Sequence, residues 1–400
     1  MLNSKLIGGI LFILGTSIGG GMLVLPVSIA AVGLMTAIFF LIACWLIMTC
    51  GALLLLEVTL QSPAGSNLLS MAKKTLGLPA QVIAWIAYLV LLYTLLSAYI
   101  SGGTDVLQNG LTYIHLVWPS QIMACLFTLI LGFIVYQGMR VVDYVNRLFM
   151  FGKLSIYALL VIIIAPYINP QHLHGGSFMA ITGSLMLFVT SFGFATIVPS
   201  LCDYFEKDAS TLRKAIIWGS LIPLICYLIW IIAIMGVIPR TGQHGLLNLN
   251  HAPHMINGFI NTLNTTVHRS WIDGLFAIFT SICMITAFLG VSLGLFDFFA
   301  DGLSMKKTGV SGGILFLFTF LPPLTIVLFF PGLYLQAFNY AGVCCVILAL
   351  FLPVLMAWQA RKNQSASYLR MLPAGNILLT LLGVIAFALL VVAAYTMGWW

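Results

Sequence analysis

Gly15-Thr16-Ser17-Ile18-Gly19-Gly20-Gly21-Met22-Leu23-Val24-Leu25-Pro26 interrupts the first long apolar run of the chain. Three adjacent glycines beside a serine and a threonine are poor helix formers, yet the flanking residues are apolar enough for a bilayer. In lipid, an unwound backbone survives only where it lines protein or a water-filled cavity. A second stretch echoes the first: Val189-Thr190-Ser191-Phe192-Gly193-Phe194-Ala195-Thr196-Ile197-Val198-Pro199. Both read Thr-Ser-x-Gly, with a proline seven residues past that glycine in the first and six in the second.

The rest of the chain supplies the setting. Of 400 residues, 62% are apolar and 6% charged, against roughly 25% charged in an ordinary soluble domain. A water-soluble surface cannot be built from this composition, and disorder would need the opposite one. The apolar runs are continuous rather than alternating, which excludes a barrel and predicts an all-α integral membrane protein. Eleven candidate membrane helices are expected at about 6–32, 35–60, 80–107, 120–138, 145–168, 178–201, 215–238, 271–299, 312–330, 333–357 and 375–398. The first run is too long for a cleavable leader and reads as a span.

A net charge of +7 would suggest a nucleic-acid partner in a soluble protein. Here the basic residues fall in twos and threes between apolar runs, so they read as topology signals and no nucleic acid is expected. With a cytoplasmic N-terminus, fourteen of the sixteen Lys and Arg lie inside and only Arg240 and Arg269 outside. An odd span count then puts Trp399 and Trp400 outside. The eight Cys show no zinc-type spacing and are expected to be free thiols. All seven His fall outside: His115, His172, His174, His244, His251, His254 and His268. They read as polar loop residues or as a pH-responsive or metal-binding surface, for which the His172-x-His174 spacing alone is a weak signal. The longest connection, about 239–270, is also outside and long enough to act as a lid.

The two interruptions lie five spans apart, so they enter the membrane in opposite directions. That is the pattern of two inverted five-helix repeats, 1–168 and 178–357, followed by an extra helix at 375–398. Half-helix N-termini attract a carboxylate, and freed carbonyls accept from an ammonium. Two such interruptions facing each other at mid-membrane make a site for a zwitterion. The alternative use of Gly19, Gly20 and Gly21 is close helix packing.

Further stretches carry a resemblance: Leu53-Leu54-Leu55-Leu56-Glu57-Val58, Ala98-Tyr99-Ile100-Ser101-Gly102, Asn146-Arg147-Leu148-Phe149, Phe288-Leu289-Gly290-Val291-Ser292-Leu293-Gly294-Leu295-Phe296-Asp297, Phe320-Leu321-Pro322-Pro323 and Asn339-Tyr340-Ala341-Gly342-Val343. With the two interruptions they run in order over nearly the whole chain. The sequence resembles the amino-acid–polyamine–organocation superfamily and, within it, the bacterial hydroxy and aromatic amino acid permeases, most of all their tyrosine-specific members. The resemblance implies eleven helices in the leucine-transporter fold, with helices one and six broken. It implies import of an aromatic amino acid, tyrosine first, across the bacterial inner membrane by proton symport, with no cofactor beyond the driving proton. It also implies alternating access, with helices one, two, six and seven moving against three, four, eight and nine, and helices five and ten as gates.

By the same analogy, N–H groups around Gly19, Gly20 and Gly21 would hold the substrate carboxylate. Carbonyls around Ile18, Thr190, Ser191 and Phe192 would take its ammonium, with Phe192 and Phe194 walling the side-chain pocket. The family often carries a His where this chain has Ala195, which implies a more apolar pocket or one served from another helix.

Lys153 lies six residues past Arg147, about 9 Å deeper along a helix. It reads either as a lysine snorkelling to the headgroups or as one facing the bundle core, where it can give up and regain a proton. In proton-coupled relatives a fifth-helix lysine replaces the sodium ion held between helices one and eight. Lys153 fits that place, with the first interruption and Ser281, Thr286 or nearby eighth-helix carbonyls as expected neighbours. Asp297 and Asp301 are candidate gate residues. Glu57 and Asp105 read as structural, and Tyr93, Tyr99 and Tyr340 as candidate pocket or gate residues. The rival readings are sodium coupling, a tryptophan or phenylalanine substrate, and a channel. A membrane-embedded enzyme would need converging nucleophilic, acid–base or metal-binding residues within the spans, and the sequence offers no such cluster.

Overall fold

Long apolar runs in a bilayer must satisfy their backbone internally, and the chain does so as helix. The computed structural model describes residues 2–63, 65–112, 116, 118–242, 245–249, 254–267, 270–362, 370–372 and 375–398. No strand occurs among the described residues. In chain order the helices are α1 (Leu2–Ser17), α2 (Gly20–Ile29), α3 (Leu34–Leu60), α4 (Leu68–Leu76), α5 (Leu78–Thr112), α6 (Ser120–Tyr136), α7 (Met139–Ile164), α8 (Leu185–Ser191) and α9 (Val198–Tyr204). They continue as α10 (Ala209–Val237), α11 (Leu246–Leu249), α12 (Met255–Val267), α13 (Ser270–Gly302), α14 (Gly309–Phe329), α15 (Tyr334–Val346), α16 (Leu352–Lys362) and α17 (Gly375–Thr396). A π-helical segment, Ile347–Phe351, joins α15 to α16 without a break in direction.

Among the described residues, nine helices are long and apolar enough to cross a membrane, and the bent pair α1–α2 makes a tenth. Helix α6 is apolar but only 17 residues long, about 25 Å against a hydrocarbon core of about 30 Å. Large apolar side chains such as Met35, Phe39, Phe133, Ile162, Phe329 and Phe387 point outward, as a lipid-facing surface requires.

The core is built where the helices press on one another. Helix α15 packs along α5 and α8, α1 along α10, and α13 along α5 and α7. Gly102 lets α5 come against the Tyr334 ring of α15: a Cβ there would lie 2.6 Å from a ring carbon. At one end of the bundle, Arg361 of α16 forks onto the fully buried Glu57 of α3, with Nε 2.7 Å from Oε1 and Nη2 2.8 Å from Oε2. The Met371 N–H adds a third bond to that carboxylate, at 3.0 Å. This bidentate pair fixes the end of α3 to α16, in line with the structural reading of Glu57.

The 239–270 connection is not a plain loop. It carries α11 and the 13-residue α12, which buries Met255, Ile256, Phe259, Ile260 and Leu263 against its neighbours α5 and α13. All eight cysteines are unpaired, as expected. No group of His, Cys, Asp or Glu among the described residues has the makings of a metal site. His172 bonds the Gly236 carbonyl at 3.1 Å, His174 is exposed, and His254 reaches back to α5. His115, His244, His251, His268, Arg269, Trp399 and Trp400 lie outside the described residues.

Candidate functional site

The first interruption forms where the sequence says it should. Helix α1 stops at Ser17, α2 starts at Gly20, and the two are bent 53° from each other. Gly19 is extended, at φ −151° and ψ −149°. Thr16 helps to end α1 by donating its hydroxyl to the Ile13 carbonyl at 2.8 Å, a local bond that competes with the helical ladder.

The second interruption is gentler than the first. Helix α8 ends at Ser191, and Gly193–Ile197 tightens into a 3-10 turn before α9 begins at Val198. Leu185–Tyr204 keeps one direction as a single apolar span. Thr190 and Ser191 tie their hydroxyls to carbonyls four residues back, Met186 at 2.8 Å and Leu187 at 2.9 Å. Those bonds keep the end of α8 wound where the glycine triplet of the first interruption leaves it open. Thr190 also lies 2.8 Å from the Phe338 carbonyl of α15.

Side chains from five other helices converge on the first interruption. Lys153 of α7, 1% exposed, donates from Nζ to the Ile18 carbonyl at 2.5 Å. Tyr334 of α15 donates to the Gly20 carbonyl at 2.9 Å, with its hydroxyl 3.7 Å from Met284 Sδ of α13. Tyr227 of α10 lies 2.5 Å from the Ser17 carbonyl and 3.1 Å from that of Ser191, so it touches both interruptions. A Cβ on Gly20 would meet the Tyr334 hydroxyl and a Tyr99 ring carbon, each at 2.8 Å. Only glycine fits under those two rings. Phe338 packs edge-on to Tyr99 and Tyr334, with centroids 5.9 and 5.3 Å away, and its ring is 3.4 Å from a Cβ built on Gly21. Phe192 sets its ring against Tyr227 at 5.5 Å. Phe194 and Ala195 are buried beside it in the 3-10 turn.

The arrangement is a buried, aromatic-walled junction of helix ends, rich in carbonyl acceptors. Among the described residues, no carboxylate lies within ion-pair distance of Lys153. Ser281 and Thr286 bond their own helix, at the Ala277 and Ile282 carbonyls.

Other residues singled out in the sequence sit elsewhere. Tyr93 donates to the Phe318 carbonyl at 2.7 Å and ties α5 to α14. Tyr340 is exposed on α15. Asp297, near the end of α13, pairs at 2.8 Å with Lys307 of the connection to α14, and Asp301 is exposed nearby. Asp105 is buried at the far end of α5, where it accepts from His254 at 2.7 Å and from the Ile256 N–H at 3.2 Å. Tyr227, Tyr334, Met284 and Phe338 were not marked by any sequence pattern. Each occupies an ordinary place in an apolar helix, and only the packing brings it to the junction.

These features define a multi-span helical membrane protein with a buried, interrupted helix junction at its centre. A model of the tryptophan/tyrosine permease family matches residues 2–394, and the chain belongs to that family. It is 32% identical over 373 residues to the "Tyrosine-specific transport system 2" of Haemophilus influenzae, covering 92% of this chain and 91% of that one. It is 30% identical to the "Tryptophan-specific transport protein" of Shigella flexneri, covering 90% and 88%. It is also 30% identical to the "Glutamine transporter 2" of Aliivibrio fischeri, covering 91% of each.

Proposed function

We propose that the protein is a carrier of the bacterial inner membrane that imports an aromatic amino acid, tyrosine first, together with protons. The observation that carries the substrate class is the aromatic wall of Tyr99, Phe192, Tyr334 and Phe338 around the glycine interruption. An aromatic side chain is held by such rings through offset and edge contacts. A glutamine side chain would need amide partners from a largely apolar lining. Membership of a permease family and the names of the tyrosine and tryptophan relatives support the same reading.

In this reading the N–H groups at Gly19, Gly20 and Gly21 take the carboxylate. The carbonyls of Ile18, Thr190, Ser191 and Phe192 face the ammonium, and Phe194 and Ala195 complete the apolar wall. Several of these carbonyls already hold a partner from this chain, so binding exchanges one donor for another. The Tyr334 hydroxyl comes from another helix, which suits a pocket with alanine at position 195.

Lys153 is the proposed proton site. Protonated, it presents a full charge to the C-terminal end of α1, where the helix dipole favours a cation. Deprotonated, it keeps only a neutral N–H···O bond to Ile18. Its protonation therefore changes its grip on the first interruption. A fixed ammonium there also argues against sodium coupling.

The eleven-span count treats α1–α2 and the short α6 as crossings. The packing supports two inverted repeats, 1–168 and 178–357, with α17 outside them. Shifting each span by five maps α1 on α10 to span six on α3, and α5 on α15 to α13 on α7; all four contacts are extensive. The charge bias and the odd span count support a cytoplasmic N-terminus and a periplasmic C-terminus.

Counterflow tests the substrate. Proteoliposomes loaded with unlabelled tyrosine should draw in labelled tyrosine, and tryptophan and phenylalanine should compete while glutamine does not. Competition by glutamine alone would overturn the aromatic reading, and a channel would show no counterflow.

A further inference from the structure

The two carbonyls touched by Tyr227 belong to the last residues of α1 and α8, so two helix C-termini converge on one phenol oxygen. A phenol carries a single proton. At 2.5 Å from the Ser17 carbonyl and 3.1 Å from the Ser191 carbonyl, it donates to one and leaves the other facing its lone pairs. The group is fully buried. Beside it, the Ser17 side-chain hydroxyl is also buried and has no hydrogen-bond partner. At the phenol itself one proton faces two carbonyls, in a place where an unpaired polar atom is costly.

An ammonium reverses that balance. It brings three donors and a positive charge to the negative ends of two helix dipoles, and charge-assisted bonds are about twice as strong as neutral ones. We propose that the Tyr227 hydroxyl is a built-in stand-in for the substrate's ammonium group. It holds the Ser17 and Ser191 carbonyls together until an amino acid displaces it. Tyr227 belongs to α10, and its ring is fixed against Phe192. Displacing the hydroxyl therefore changes how α10 grips both interruptions, which links occupancy of the site to the seventh span. Tyr227 is in this sense a positioning residue that competes with the substrate, and the inference rests on the carrier reading above.

The test is equilibrium binding of labelled tyrosine to the full-length protein in lipid nanodiscs. Competition by 4-hydroxyphenylpropanoate, which lacks the amine, serves as the reference. Tyr227→Phe keeps the ring and removes the competitor, so tyrosine should bind about fivefold more tightly, the scale of one net hydrogen bond. The affinity for the amine-free analogue should not move. A monofluorinated tyrosine at position 227 keeps shape and hydroxyl but donates more strongly, so it should weaken tyrosine binding and again spare the analogue. If Tyr227→Phe does not fold, the fluorinated protein decides alone. Weaker tyrosine binding in Tyr227→Phe, or equal shifts for tyrosine and analogue in either protein, overturns the stand-in role and leaves the carrier reading intact. Failure of the unmodified protein to bind any aromatic amino acid through its amine overturns both.

Discussion

Gly20 is the glycine of the first interruption at which one added methyl has the most to disturb. The Cβ of an alanine would fall 2.8 Å from both the Tyr99 ring and the Tyr334 hydroxyl, and both side chains are buried. Overpacking of this kind displaces neighbours rather than being absorbed. Gly20→Ala should lower tyrosine uptake by about tenfold or more while the protein still reaches the membrane, checked by uptake alongside quantification of the membrane-inserted protein. Uptake at the unmodified level would remove Gly20 from the site. The glycine triplet was legible because three poor helix formers stand out in an apolar run. Lys153 was legible because a lysine that deep in a span has few uses. Tyr227 and Tyr334 were not. In a chain with 14 Tyr, nothing in the sequence separates a tyrosine that caps a helix end from one that packs.

At the scale of elements, hydropathy located the spans but not their internal geometry. It measures apolarity, which a 3-10 turn, a π segment and a regular α-helix share. The sixth span therefore read as a second broken helix, whereas its hydroxyls bond back into α8 and the chain only tightens into a 3-10 turn. Helix α12 escaped for the opposite reason: it is short and half polar, so a search for long apolar runs passes over the helical spacing of its buried Met255, Ile256, Phe259, Ile260 and Leu263. It is also where a pH effect belongs. The Asp105 hydrogen bond raises the His254 imidazole above its usual value of about 6.5, so the contact stabilises the protein fully below that value. It weakens as pH rises through the raised one. Hydrogen-exchange protection across Met255–Val267, taken relative to the intrinsic base-catalysed rate, should be high in mild acid and fall above neutrality, and Asp105→Asn should flatten that dependence. Protection that rises with pH would contradict the His254–Asp105 contact.

At the scale of the whole molecule, the departures from the repeat symmetry are as informative as the matches. The repeat predicts that α8 on α15 should be mirrored by α1 on α7. The first contact is extensive, while the second is sparse among the described residues. Two halves that the proposed repeat would make equivalent thus differ in packing, which is what the proposed carrier would show on one side of its cycle. Lys153 of α7 reaches across to the Ile18 carbonyl just past the end of α1, and under the proposed proton coupling that hydrogen bond is the contact a proton would act on. The most direct measurement is accumulation of labelled tyrosine in proteoliposomes under an inward proton gradient, without sodium, for the unmodified protein and for Lys153→Gln. The account predicts accumulation that a protonophore collapses in the former, and in the latter tyrosine exchange without proton-driven accumulation. Full proton-driven accumulation by Lys153→Gln, or accumulation by the unmodified protein only when sodium is supplied, would contradict it.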